Sequence, residues 1–90
     1  MSRLAGKVAL ISGSTSGMGE EEAKLFAKEG AKVVVSGIQE DQGLRLVHEI
    51  NSLGGESLFI KLDVSSENDW IAAIQTTEKS FGKLNILINN

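Results

Sequence analysis

The chain has 90 residues, enough for one small domain, and 41% of them are hydrophobic, an ordinary share for a folded globular protein and too high for disorder. A net charge of −3 argues against a nucleic-acid-binding surface, and the absence of cysteine excludes a disulfide framework and a thiolate metal site. No apolar run approaches the roughly 20 residues that cross a membrane, and Met1-Ser2-Arg3-Leu4 opens no signal-peptide core, so a cytoplasmic protein without membrane or nucleic-acid partners is expected.

Val8-Ala9-Leu10-Ile11 is apolar without alternation, the pattern of a strand buried on both faces. The turn Ser12-Gly13-Ser14-Thr15-Ser16-Gly17-Met18-Gly19 follows it. A helix is then expected from about Met18 to Glu29, with Ala23, Phe26 and Ala27 facing the core and Gly30 as C-cap. Glu20, Glu21 and Glu22 fall in its first turn, where the helix dipole favours negative charge. Glu20 and Glu21 fit a solvated face; Glu22, one position before the apolar stripe, does not sort so simply.

The β-branched run Lys32-Val33-Val34-Val35-Ser36 predicts a second strand. A second helix is expected over about Asp41 to Leu53, buried through Leu46, Val47, Ile50 and Leu53 and stopped by Gly54-Gly55. His48 lies off the centre of that stripe and reads as a surface residue. Ser57 to Leu62 predicts a third strand, ending in Asp63-Val64. Ser66 and Asp69 have capping-box spacing, so a third helix should begin near Glu67, with Trp70, Ile74, Thr77 and Phe81 as core stripe and Gly82 as its end. Asn85 to Asn90 reads as a fourth strand.

Strict β-α alternation with short connections implies an α/β fold, a parallel sheet with helices on both faces. Right-handed crossovers then give the order 3-2-1-4, the first half of a Rossmann-type doubly wound sheet. Ligands of such sheets lie beyond the carboxyl ends of the strands, at the switch between strands one and four. The glycine turn, Ser36-Gly37-Ile38, Asp63-Val64 and Asn89-Asn90 converge there and outline a slot for an adenine dinucleotide. In the turn, Gly13 can take a conformation closed to other residues, Gly17 leaves room for a pyrophosphate, and Gly19 allows close helix packing. Backbone N–H groups and the positive helix end serve a phosphate without any cationic side chain. The spacing G-x-x-x-G-x-G is neither G-x-G-x-x-G nor a P-loop, since Met18-Gly19 stand where Gly-Lys would be needed. A flavodoxin-like or receiver domain is disfavoured by that turn and by Ser12, where an acidic cluster would be required.

These motifs resemble the N-terminal half of the short-chain dehydrogenase/reductase family. The turn matches T-G-x-x-x-G-x-G with Ser12 for Thr, Asp63-Val64 matches the aspartate of the adenine pocket, and Asn89-Asn90 match the opening of N-N-A-G. The resemblance implies an NAD(P)-dependent oxidoreductase acting on a small-molecule alcohol or carbonyl substrate, and commonly a homo-oligomer. Cofactor contacts are implied at Gly13, Ser14, Thr15, Ser16, Gly17, Met18, Gly19, Gly37, Ile38, Asp63, Val64 and Asn90, with Asn89 and Asn90 bracing the sheet. Asn90 would lie near the nicotinamide-side ribose. The family's catalytic Ser, Tyr and Lys normally lie beyond residue 90, and the chain contains no tyrosine. The 90 residues are therefore expected to be the cofactor-binding half, cut after strand four. A non-catalytic nucleotide-binding module is the alternative. Gly37 stands at the family's acidic, NAD-selecting position and Ile38 where NADP-preferring members often carry Arg, so NAD and NADP are not told apart.

Overall fold

The computed structural model describes residues 3–14 and 17–90. Its elements alternate in chain order: β1 Val8–Ser12, α1 Gly17–Lys28, β2 Lys32–Gly37, α2 Glu40–Ser52, β3 Glu56–Lys61, α3 Glu67–Phe81 and β4 Ile86–Asn89. The four strands form one parallel sheet in the order β3-β2-β1-β4, as expected.

The period of two in a strand sorts the core into two layers. Ile11, Val33 and Val35 point to one face and pack with Ala23, Leu46 and Ile50 from α1 and α2. Leu10 and Val34 point to the other face and pack with Leu62 and with Ala73 of α3. Burial of β1 and β2 on both sides explains why their sequences show no alternation. Leu10 has no exposed surface. Leu10→Ala is expected to lower the unfolding free energy of the full-length protein by about 3 kcal/mol. The shift of the denaturant midpoint measures it, and a loss below about 1 kcal/mol would contradict the two-layer core.

Two helix ends are Schellman turns. Gly30 (φ 99°) follows α1, with Ala31 N–H donating to the Phe26 carbonyl at 3.0 Å. Gly54 (φ 93°) follows α2, with Gly55 N–H donating to the Ile50 carbonyl at 3.0 Å. Leu53 corrects the expected α2 stripe. It lies one residue past the helix and is exposed, because the turn rotates it off the buried face. Gly43 takes part instead: a Cβ there would run into the Phe59 ring of β3. On α3, Ala73 is the most buried apolar residue, and buried Thr77 satisfies its hydroxyl on the Ala73 carbonyl at 2.7 Å. Ser66 caps α3 by accepting from Asp69 N–H at 3.2 Å. The return arm of the capping box is absent, since Asp69 Oδ2 accepts from Asp63 N–H instead, at 2.9 Å.

Candidate functional site

The carboxyl ends of the strands meet in a cleft of about 300 Å³. Gly13 borders it after β1, Gly37, Ile38 and Gln39 after β2, Leu62, Asp63 and Val64 after β3, and Asn90 after β4. Gln39, the residue before α2, and Leu62, just before Asp63, line it in addition to the expected strand-end groups. Met18, Ile38 and Val64 are 74%, 65% and 50% exposed, although all three are apolar and all belong to the expected site. Apolar surface left open around a cleft suits a flat aromatic or sugar-bearing ligand. A second hollow, of about 350 Å³, lies between α1 and α2. It is flanked by the Lys24–Glu49 ion pair, and among the described residues neither the carboxyl end of a strand nor the turn after β1 lines it.

Each glycine of the turn has its own geometry. Gly13 adopts φ 66°, and a Cβ there would approach the Asn90 Cβ to 3.3 Å. Gly17 adopts φ 49° and faces open space: among the described residues, no heavy atom beyond its chain neighbours and its own helix lies within 4 Å of a Cβ position. Gly19 is buried, and a Cβ there would come within 2.7 Å of Ser14 Cα. Close packing at Gly19 is thus against the backbone of the turn itself, not against the strand. Thr15 and Ser16 lie outside the described residues.

Ser14 departs from the expected cofactor role. Its hydroxyl donates to the Ile11 carbonyl at 2.8 Å and accepts from Ser36 N–H at 2.8 Å, and its own N–H donates to the Ser36 carbonyl at 3.1 Å. With no exposed surface, it ties the glycine turn to β2. The Ser36 hydroxyl doubles the tie by donating to the Ile11 carbonyl at 2.8 Å.

The Asp63–Val64 loop is held in three places. Ser65 donates to Asp63 Oδ1 from its N–H at 2.9 Å and from its hydroxyl at 2.6 Å. Asp69 takes the Asp63 N–H, and the Trp70 indole donates to the Val64 carbonyl at 2.9 Å. The hydroxyl and N–H of Ser65 hold the Asp63 carboxyl below the usual carboxylate range. Asp63 therefore stays ionised throughout neutral pH, as a hydrogen-bond acceptor.

At β4, the Ser12 hydroxyl donates to Asn89 Oδ1 at 2.9 Å and accepts from Asn90 N–H at 3.2 Å. Asn90 Nδ2 donates to the Ser12 carbonyl at 2.9 Å. Both asparagines thus brace the switch point between β1 and β4. The same Asn90 nitrogen donates to Glu22 Oε1 at 2.9 Å, which gives Glu22 the placement its sequence position withheld.

The sequence matches the short chain dehydrogenase family model over residues 7–90. The chain belongs to the short-chain dehydrogenase family. Among relatives of this family, 2,5-dichloro-2,5-cyclohexadiene-1,4-diol dehydrogenase LinX of Sphingobium indicum is 49% identical over 87 residues, covering 97% of this chain and 35% of the relative. The 3-beta-hydroxysteroid dehydrogenase of Comamonas testosteroni is 48% identical over 88 residues, covering 98% of this chain and 34% of the relative. The crystal structure of a hydroxysteroid dehydrogenase from Escherichia coli superposes with a TM-score of 0.95 at 42% identity, covering 98% of this chain and 37% of that one. A 7 alpha-hydroxysteroid dehydrogenase complexed with NADH and 7-oxo glycochenodeoxycholic acid gives the same TM-score of 0.95 and 42% identity, covering 98% and 34%. The chain spans about a third of the length of these short-chain dehydrogenases.

Within this family frame, one residue beside the site escaped the sequence. Exposed Lys61 is the register partner of Gly37, so a cation stands on the strand next to the end of β2. Only strand register reveals it, since the two positions are 24 apart in the chain (61 − 37).

Proposed function

We propose that the protein is an NAD(P)-dependent oxidoreductase and that this chain is its N-terminal, cofactor-binding half. The observation that carries the proposal is one cleft bordered by the glycine turn, Gly37-Ile38, Asp63-Val64 and Asn90. The open space at Gly17 is a cradle that any side chain would fill, and it fits a pyrophosphate approaching the N-terminus of α1. In this reading Met18 and Asn90 stand at the nicotinamide end, Gly37 and Ile38 beside the adenosine ribose, and Asp63 accepts from the adenine amino group. The nicotinamide, when bound, accepts the hydride from an alcohol carbon or returns it to a carbonyl carbon. A structural neighbour complexed with NADH supports the cofactor class.

Relatives named for ring alcohols, a cyclohexadienediol dehydrogenase and a hydroxysteroid dehydrogenase, support cyclic alcohols and ketones as the first substrates to try. Assembly as a homo-oligomer and a cytoplasmic setting belong to the same proposal, on the strength of the family. No helix among the described residues is long and apolar enough to cross a membrane.

Gly37 carries no acid to repel a 2′-phosphate, and Ile38 carries no cation to hold one. NADH and NADPH affinities of the full-length protein should then differ by less than about a hundredfold, or 2.7 kcal/mol. Gly37→Asp should shift the ratio toward NADH by at least about tenfold, through a bond to the 2′-hydroxyl and repulsion of a phosphate. Fluorescence titration with both nucleotides checks this, and an unchanged ratio would remove the end of β2 from the ribose site.

A further inference from the structure

We propose that Glu22 is a positioning residue that locks the Asn90 carboxamide in the orientation required for cofactor binding; this rests on the functional reading above. One nitrogen, Asn90 Nδ2, meets two acceptors, the Ser12 carbonyl oxygen and Glu22 Oε1, each at 2.9 Å. A carboxamide satisfies two acceptors on one side only by presenting its two N–H bonds there. A half-turn would set its oxygen against a carbonyl oxygen and a carboxylate, and the anionic partner makes that reversal the more unfavourable. Ser12 is fixed in the sheet through its pairing with Asn89. Glu22 is fixed on α1, one helical turn beyond Met18. With its amide hydrogens committed to these two, Asn90 offers its carbonyl oxygen as acceptor at the cleft it borders. The ribose hydroxyls of a nicotinamide nucleotide are donors of the matching kind. Without Glu22, only the Ser12 carbonyl opposes the reversed orientation, and that orientation becomes more populated.

The test uses the full-length protein, titrated with NADH and NADPH by fluorescence, with steady-state kinetics alongside. Glu22→Leu should weaken binding of the preferred nucleotide about fivefold and raise its KM by the same factor, with kcat within about twofold, as expected for one oriented hydrogen bond. Glu22→Gln keeps an acceptor oxygen and should restore affinity to within about twofold of the parent. In an Asn90→Ala background, Glu22→Leu should have no further effect, because the residue it orients is gone. An unchanged affinity in Glu22→Leu, with or without a lower melting temperature, overturns the proposal. So does a Glu22→Gln protein that binds much more tightly than the parent, which would make Glu22 a source of repulsion. A parent protein that takes up neither nucleotide overturns the cofactor reading itself, and the inference falls with it.

Discussion

Gly17→Val is expected to lower nicotinamide-nucleotide affinity of the full-length protein at least about a hundredfold, or 2.7 kcal/mol, while the fold survives. Among the described residues, nothing beyond its chain neighbours and its own helix lies within 4 Å of the Gly17 Cβ position, so a side chain there displaces no described atom packed against it. It fills the space assigned to the pyrophosphate. The φ of 49° adds a backbone penalty of about 2 kcal/mol for a residue other than glycine, a local loss that a cooperative domain can absorb. Gly19→Val should behave differently. Its Cβ would press on Ser14 Cα at 2.7 Å and on the Gly13 carbonyl carbon at 2.8 Å, so the turn itself must move. Stability and binding should then fall together. Circular dichroism melts paired with calorimetric titration separate the two cases. Unchanged nucleotide affinity in Gly17→Val would refute the assignment of the turn.

The second large effect concerns these 90 residues expressed alone. They should show no turnover with any alcohol or ketone, and they should self-associate. No tyrosine is present, so the tyrosine–lysine acid/base pair implied by the family pattern cannot be assembled from them. The structural half follows from β4. It pairs with β1 along one edge, and among the described residues no strand pairs with the other. Leu87 is half exposed there, beside Ile86 and Ile88. An open apolar edge is a template for pairing with another chain. Light scattering and an NAD(P)H absorbance assay measure the two halves. A stable monomer would contradict the first, and any turnover the second.

The strand order could be read from the sequence because each unit is local: an apolar run, a helix and a short return. The glycine turn was legible for the same reason, since strand, glycines and helix are contiguous. What escaped the sequence is what two distant segments make together. Ser14 looked like a ligand residue by its place in the turn, yet its hydroxyl is taken up by Ser36, 22 residues away. Glu22 had no account until Asn90, 68 residues on, was brought beside it. Lys61 became relevant through strand register alone. Leu53 continued the helical period on paper, but the Gly54 turn ends the helix one residue earlier and leaves it in solvent.

The account centres on the strand-end cleft as a nicotinamide-nucleotide site. Isothermal titration of the full-length protein with NADH and NADPH, in parallel with its Gly17→Val variant, tests it most directly. The expected result is saturable one-site binding of at least one nucleotide, with a preference below about a hundredfold, that is lost in the variant. Binding of neither nucleotide, or equal binding by the variant, would contradict it.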